Sequence, residues 1–245
     1  MTSREQPPHQ PLAESVLADL RAASVATLTT QLLKRGFRNR APVGLQPLRP
    51  DLKLIGVART LRYVPAREDL ATLEALASPE HPQRWLIEHV RPGEVVVMDA
   101  RGDPRAGTLG EILATRLQQR GCAGIVSDGP VRDAAGIRAL EMPTFCAGAH
   151  PNANVTVHHA ADVDVPIGCG GVLVMPGDAI VGDADGVVVI PRELVAEVAA
   201  DAAEQEREEA YIHQRIREGD SIVGVYPLDE ATRAEYYARR GRRPA

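Results

Sequence analysis

The chain has 245 residues, a formal net charge of −5, 44% hydrophobic residues and only 3% aromatic residues. This length and apolar content are typical of one large globular domain and exclude a wholly disordered chain. The negative charge and the shortage of aromatic rings argue against direct nucleic-acid binding, which needs a basic surface or exposed rings that stack on bases.

The N-terminal third is predicted to contain helices and one strand, separated by a loop over 37–50. Residues 1–11 are polar and proline-rich and are predicted to form a disordered leader. Apolar residues then recur at three- and four-residue spacing up to Gly36, which predicts one or two helices. A strand is predicted over 54–64, followed by a polar helix over 68–90 that Pro79 and Pro82 interrupt.

The middle of the chain alternates short apolar strands with helices. The strands are predicted within 91–100, 124–127 and 143–147, and the helices over 108–120 and 133–141. This alternation predicts an α/β fold.

From residue 155 onward the pattern changes to short strands joined by turns. They are predicted at 155–167, 171–175, 179–181 and 186–190. Pro191 then begins a long helix that runs to about residue 218. We therefore expect one α/β domain over 12–218 with a mixed sheet, N-terminal helices and a long C-terminal helix, followed by an extension over 219–245.

The cysteines and the absence of long apolar runs bear on the compartment. Cys122, Cys146 and Cys169 show no CxxC spacing, so they predict small buried hydrophobes rather than a disulfide framework or a zinc site. The polar N-terminus has no apolar signal-peptide core, and no run of about 18 apolar residues exists. These features predict a cytoplasmic protein.

Residues 107–133 carry the most informative pattern. A helix that begins near Gly110 leaves its first-turn backbone N–H groups without helical acceptors, namely those of Glu111, Ile112 and Leu113. Gly107 and Gly110 allow a ligand to approach the backbone there. A helix start of this kind favours an anion such as the carboxylate of a small acid.

The strand at 124–127 ends in a turn that leads to Arg132 and Asp133. Ligands of open α/β sheets bind beyond the carboxyl ends of strands. Arg132 suits a carboxylate or keto oxygen, Asp133 suits a hard divalent cation such as Mg²⁺, and Glu111 is a second oxygen ligand through water. This set predicts a 2-oxo acid site in which an arginine and a metal stabilise an enolate. An Arg–Asp pair after a strand is also the ordinary pattern of a helix N-terminal charge beside a surface arginine.

Other polar residues give weaker signals. Arg101, Asp103 and Arg105 follow the strand within 91–100 and are second-rank candidates for the same strand-end site. His158 and His159 alternate on a predicted strand and are interpreted as structural.

Two turns are also interpreted structurally. Asp183 and Asp185 precede Gly186, and their spacing favours Asx-type turn chemistry over a metal site. The Gly-Cys-Gly-Gly run at 168–171 is predicted to form a bulge or a close approach between subunits.

Two motifs identify a family resemblance. Residues 110–113 match G-[DE]-x-L at a helix start, and residues 128–133 match DG-x-x-RD some twenty residues later. Residues 176–191 are similar to a second block of the same family. The chain thus resembles, over roughly residues 20–210, the RraA-like proteins: class II 4-hydroxy-4-methyl-2-oxoglutarate aldolases and the regulator of ribonuclease activity A.

The resemblance implies a layered β/β/α fold of the swivelling-domain type, assembled as trimers or as dimers of trimers. It implies that Arg132, Asp133 and Glu111 are catalytic and that Asp133 ligates Mg²⁺ or Mn²⁺. Substrate would be bound by Arg132 and the backbone amides of Gly110, Glu111, Ile112 and Leu113.

The implied activity is cleavage of a 4-hydroxy-2-oxo acid to pyruvate. The substrate would be of the 4-hydroxy-4-methyl-2-oxoglutarate or 4-carboxy-4-hydroxy-2-oxoadipate type, with oxaloacetate decarboxylation as a side activity. The alternative is a non-catalytic regulator that binds a ribonuclease, which needs none of Glu111, Arg132 and Asp133. Their joint presence favours the enzyme.

The sequence departs from the family pattern at 62–69 and in the C-terminal extension. In the family, an acid from the neighbouring subunit's C-terminal region can assist proton transfer. The candidates in this chain, which also fit solvated helix charges, are Glu204, Glu206, Glu208 and Glu209.

Overall fold

The computed structural model of the chain describes residues 10–239. Most of the predicted leader and residues 240–245 of the predicted extension lie outside the described residues. No helix of the described part is both long enough and apolar enough to cross a membrane.

Within residues 10–239 the chain forms eight α-helices and ten β-strands. The helices are α1 (Glu14–Ala22), α2 (Val25–Lys34), α3 (Leu73–Ala77), α4 (Pro82–His89), α5 (Glu111–Gln119), α6 (Ala134–Arg138), α7 (Val195–Arg217) and α8 (Glu230–Arg239). The strands are β1 (Gln46–Pro47), β2 (Leu54–Pro65), β3 (Glu94–Asp99), β4 (Gly124–Ser127), β5 (Thr144–Cys146), β6 (His158–Val163), β7 (Ile167–Cys169), β8 (Val172–Val174), β9 (Ala179–Asp183) and β10 (Gly186–Ile190).

The main sheet is mixed, as predicted. Its eight strands follow the order β1-β5-β4-β3-β2-β9-β10, and β6 also pairs with β2. The strands β2 to β5 run parallel to one another, whereas β9 and β6 pair with β2 in the antiparallel sense. Because β3 and β4 are parallel neighbours, their carboxyl ends lie at the same edge of the sheet.

Strand β2 has three partners because it is long. Its first four residues pair with β9, and its last five pair with β6 across a register shift between Arg62 and Tyr63. Its other edge pairs with β3. The α/β fold with N-terminal helices and a long C-terminal helix is therefore confirmed, with β2 at its centre.

The long helix α7 packs against the sheet through one face. Its buried residues recur at the spacing of a helical stripe: Val195, Val198, Ala199, Ala202 and Ala203. All of these except Ala203 form one apolar cluster with α1, α2 and strands β9 and β10. A second cluster lies under α4, α5 and α6 and supports the segment 107–133.

One predicted strand is wrong. Residues 155–167 do not form a single strand, because the region begins with a 3₁₀ turn at Asn154–Thr156 and then splits into β6 and β7. Asp164 separates these strands in a left-handed conformation with φ of +53°, and Pro166 follows, which cannot donate a ladder hydrogen bond.

The run at 168–171 includes the hairpin turn between β7 and β8. Gly170 and Gly171 have φ of +53° and +79°, and two consecutive positive φ values define the tight turns that favour glycine. A Cβ on Gly170 would lie 2.8 Å from the carbonyl oxygen of Val43. Gly170 therefore permits a close approach to Val43 within this chain, and the predicted approach between subunits stays a prediction.

The other structural interpretations agree with the fold. Asp183 Oδ1 accepts the backbone N–H of Asp185 at 3.0 Å, an Asx-type turn, and its Oδ2 accepts that of Val25 at the start of α2. Cys122, Cys146 and Cys169 are buried free thiols, and burial raises the pKa of Cys122 to about 11.

The C-terminal extension folds back on α7. Its residues Val225, Leu228 and Tyr236 pack against Tyr211 and Ile212 of that helix in a small apolar cluster. The extension therefore has its own apolar contacts, separate from the cluster beneath residues 107–133.

Candidate functional site

The segment 107–109 is held between two other loops at the carboxyl edge of the parallel strands. The N–H of Thr108 donates to the Pro130 carbonyl, and the N–H of Arg132 donates to the Leu109 carbonyl, both at 2.8 Å. On the other side, the N–H of Gly107 donates to the Asn152 carbonyl at 3.0 Å. These bonds place the start of α5 beside the loop that follows β4.

The structure brings Gly110, Glu111, Arg132 and Asp133 together, as the sequence predicted. The backbone N of Glu111 lies 3.4 Å from Asp133 Oδ2. A Cβ on Gly110 would lie 2.6 Å from the same oxygen and 3.7 Å from Arg132 Cβ. Glycine at 110 therefore leaves the space in which the Asp133 carboxylate faces the helix start.

Asp133 adopts an uncommon backbone conformation. It precedes α6 with φ of +52° and makes no capping hydrogen bond to that helix. Aspartate tolerates the left-handed region better than most residues, and such conformations concentrate at functional sites. Here the conformation directs the carboxylate across to α5 rather than onto its own helix.

Glu111 is exposed, and its carboxylate reaches α6, where a Cβ on Gly136 would collide with it. Asp133 and Glu111 thus border the first turn of α6 with hard oxygen donors. Among the described residues, no group of three or more His, Cys, Asp or Glu could hold a metal ion. Mg²⁺ commonly keeps several waters and binds through one or two carboxylates, so this donor set fits it.

The guanidinium of Arg132 is available to a ligand. Within residues 10–239 its side chain makes no hydrogen bond or ion pair, and its Nε is buried without a partner. A buried unpaired donor costs about 1–3 kcal/mol, so an anionic or carbonyl ligand would be stabilised there.

The backbone N–H groups at the start of α5 are also available. Neither Leu109 nor Gly110 donates its N–H to an acceptor in the described part of the chain, and the first-turn amides of Ile112 and Leu113 have no helical acceptor. The N–H of Glu111 faces Asp133 Oδ2 at 3.4 Å. Ile112 is 85% exposed, whereas Leu113 packs against the core. We call the backbone N–H groups at the start of α5 the amide row. This row therefore opens towards solvent next to Arg132.

Replacing Gly107 with alanine is expected to lower any activity of this site by about 10- to 100-fold, since small misplacements of binding groups are costly. The added Cβ would lie 2.5 Å from Arg132 Cγ and 2.7 Å from Arg132 N. The contact with the backbone nitrogen cannot be relieved by rotating a side chain. Turnover kinetics of Gly107→Ala would show the loss.

Gly168→Ala is the matched control for this prediction. A Cβ there meets nothing within 4 Å, and Gly168 has no positive φ. Equal activity of the two variants would show that Arg132 is not held by its contact with Gly107.

The second-rank candidates bond to neighbouring residues. Asp103 and Arg105 form an ion pair at 2.6 Å, which holds the pKa of Asp103 well below its usual range. Arg101 lies 3.1 Å from Nδ1 of His158 and also donates to the Val157 carbonyl. His158 is buried, and burial lowers its pKa.

Asp128, the first residue of the second motif, has a supporting position. Its carboxylate accepts the backbone N–H groups of Ala100, Gly102 and Gly170 at 2.6, 3.2 and 3.4 Å. Burial raises its pKa. It therefore connects the ends of β3 and β4 to the β7–β8 hairpin.

The acids on α7 engage residues near them. Glu206 accepts the N–H of Ser24 at 2.8 Å, Glu204 and Glu208 accept the hydroxyls of Tyr236 and Tyr237, and Glu209 accepts from Gln205. Glu204, Glu208 and Glu209 also line a cavity of about 590 Å³ between α2, α7 and the extension, which neither Arg132 nor Asp133 lines. Within one chain these acids are thus not part of the site.

The sequence did not indicate two residues that border the site, His150 and Asn152. His150 donates its N–H to the Val131 carbonyl at 2.9 Å, and its Nδ1 accepts the N–H of Asn152 at 3.2 Å. A parallel bridge between Val131 and Ala149 places His150 next to Arg132. The spacing of residues along the sequence could not reveal His150 and Asn152, because only the bridge between Val131 and Ala149 brings their segment to the site.

A model of the RraA-like family, described as Aldolase/RraA, matches residues 23–189, which include this whole arrangement. The chain belongs to the RraA-like family. This RraA-like chain is 33% identical over 182 residues to a Halalkalibacterium halodurans protein named "Putative 4-hydroxy-4-methyl-2-oxoglutarate aldolase". That match covers 74% of the RraA-like chain and 80% of its relative.

Two solved structures resemble the RraA-like chain along most of its length. One is Streptomyces coelicolor RraAS2, described as an unusual member of the RNase ES inhibitor RraA protein family. It has a TM-score of 0.76 and 35% identity and covers 84% of this chain and 100% of that one. The other is an uncharacterized protein of Pseudomonas syringae pv. tomato, with a TM-score of 0.79, 25% identity, and coverage of 93% and 100%.

Proposed function

We propose that this RraA-like protein is a divalent-metal-dependent lyase that cleaves a 4-hydroxy-2-oxo acid to pyruvate and decarboxylates oxaloacetate as a side activity. The observation that carries the proposal is the convergence of the unpartnered Arg132 guanidinium, the Asp133 carboxylate and the open amides at the start of α5. The name of the H. halodurans relative supports the same reaction class.

The chain's own groups match the needs of a 2-oxo acid. The amides of Gly110, Glu111, Ile112 and Leu113 bind the carboxylate at the positive end of α5. Arg132 donates to the keto oxygen and stabilises the negative charge that develops on it. Cleavage breaks the bond between C3 and C4, the electron pair passes into the enolate, the 4-hydroxyl loses its proton, and C3 gains one.

Asp133, with water and Glu111, would hold Mg²⁺ or Mn²⁺. Such an ion, when bound, supplies Lewis-acid polarisation of the keto oxygen. Arg132 and Asp133 are consecutive residues of one loop, and the backbone bond between Arg132 and Leu109 holds that loop beside the start of α5. The guanidinium and an ion held by Asp133 would then act on the same keto oxygen.

The test is pyruvate release from oxaloacetate and from a panel of 4-hydroxy-2-oxo acids. We expect turnover that EDTA removes and excess Mg²⁺ restores, after subtraction of the protein-free rate at the same Mg²⁺ concentration. Turnover that persists in EDTA would contradict the metal requirement. The panel would also identify the substrate type.

A second candidate is a non-catalytic, protein-binding regulator of a ribonuclease. It is favoured by the likeness to RraAS2, which belongs to a family of RNase ES inhibitors. A regulator needs neither the Arg132 guanidinium nor the Asp133 carboxylate. Absence of turnover on every 2-oxo acid would favour this alternative.

We further propose that the protein is cytoplasmic and forms a homotrimer or a hexamer, as the family resemblance implies. The site supports assembly, because it opens at the surface and Arg132 has no anionic partner within the described residues. Light scattering is expected to give the mass of three or six chains. A mass of one chain would disprove the proposed assembly.

A further inference from the structure

The carbonyl oxygen of Thr108 accepts three side-chain donors from three separate elements. Gln83 Nε2 of α4 donates at 2.8 Å, the Tyr63 hydroxyl of β2 at 3.2 Å, and Asn154 Nδ2 of the 3₁₀ turn at 3.4 Å. Thr108, Tyr63, Gln83 and Asn154 are all buried. A carbonyl oxygen has two lone pairs, so this acceptor is fully used.

The three donors, which we call the Thr108 clamp, form one network. Asn154 Nδ2 also donates to Gln83 Oε1 at 2.9 Å, so Gln83 is fixed at both ends of its amide. Burial raises the pKa of Tyr63, so its phenol stays protonated and able to donate well above neutral pH. Buried polar networks are costly unless fully satisfied, and apolar side chains surround this one.

The clamp acts on the peptide that leads into the site. A trans peptide holds its C=O and N–H on opposite sides, so fixing the Thr108 oxygen also fixes the direction of the Leu109 N–H. That N–H has no acceptor within residues 10–239. Hydrogen bonds to the oxygen polarise the peptide and strengthen its N–H as a donor.

The next peptide joins the clamp to the other half of the site. The Leu109 carbonyl accepts the N–H of Arg132 at 2.8 Å, and Gly110 follows directly at the start of α5. Displacing the Thr108–Leu109 peptide would therefore move both the amide row and the Arg132 backbone.

We propose that Gln83, Asn154 and Tyr63 are positioning residues that orient and polarise the Thr108–Leu109 peptide, so that the Leu109 N–H joins the amide row that receives the carboxylate of a 2-oxo acid. The inference rests on the proposed function and extends the row by one donor. None of the three side chains touches the substrate.

Gln83→Met tests the clamp, because it keeps the side-chain length and removes both the donor and the acceptor. The matched control is Gln31→Met, since Gln31 is equally buried and its Nε2 donates to Gln205 Oε1 at 2.6 Å in the α2–α7 contact. We expect Gln83→Met, and not the control, to lower kcat about tenfold or more.

Two further measurements do not depend on turnover. Hydrogen–deuterium exchange of a peptide over 107–113 should be faster in Gln83→Met than in Gln31→Met. The affinity for oxalate in the presence of Mg²⁺ should fall about tenfold in the first variant only. If Gln83→Met does not fold, Tyr63→Phe removes one donor at nearly constant size and is judged by the same measurements.

The possible results separate the two proposals. A wild-type protein without turnover would disprove the lyase, while exchange and oxalate affinity would still decide the clamp. If Gln83→Met matches Gln31→Met in both measurements, the clamp is only a packing feature and the inference is overturned.

Discussion

Arg132→Met is expected to lower kcat/KM for pyruvate release by about 10²- to 10³-fold, the usual loss when one donor to a developing oxyanion is removed. Methionine keeps the apolar part of the side chain over Gly107. The folded state should lose little stability, because the Arg132 side chain makes no hydrogen bond or ion pair within the described residues. Steady-state kinetics with a thermal unfolding curve measures both effects.

Arg138→Met is the matched control for Arg132→Met. Arg138 lies on α6 near the site but is exposed, and its Nε donates to the Leu48 carbonyl at 3.3 Å. Its replacement should leave kcat/KM within a factor of two or so. A loss in Arg138→Met as large as in Arg132→Met would mean that general positive charge, rather than a placed donor, supports the reaction.

Asp164→Asn is expected to lower the free energy of unfolding by about 3 kcal/mol, because removing one partner from a buried ion pair leaves a charge poorly compensated. Asp164 binds Arg59 through two bonds of 2.7 Å, and Glu94 binds the same guanidinium at 3.0 Å. Asparagine tolerates the left-handed backbone at this position, so the change isolates the charge. Urea denaturation at one fixed protein concentration gives the value.

Asp162→Asn controls for the loss of a nearby surface charge. Asp162 pairs with Arg62, and about a third or more of each side chain is exposed. Exposed pairs contribute about 0–1 kcal/mol, so this variant should unfold near the wild-type midpoint. If both variants lose the same small free energy of unfolding, then burial of the ion pair between Arg59 and Asp164 does not determine how much that pair stabilises the protein.

Local patterns made much of the fold predictable. The stripe of valine and alanine on α7 is visible in the sequence, and so are the short apolar runs of β3, β4 and β10. The strand predicted over 155–167 failed because a 3₁₀ turn and Asp164 interrupt it, and a run of apolar and polar residues shows neither. Pro166 was the available signal for the break.

The candidate site was predictable only where its members share one segment. Gly110, Glu111, Arg132 and Asp133 lie within residues 107–133, and the structure brings them together. The Thr108 clamp and His150 come from segments far along the chain, so only the tertiary structure joins them to the site. The same holds for Arg59 and Asp164.

The long strand β2 also determines when the sheet can be completed during synthesis. Its parallel neighbour β3 follows soon after it, but its antiparallel partners β6 and β9 begin only at His158 and Ala179. At about 5–20 residues per second, a ribosome therefore leaves one edge of β2 unpaired for many seconds. An uncovered hydrophobic strand edge can pair with another nascent chain, so the open edge of β2 is exposed to aggregation before release.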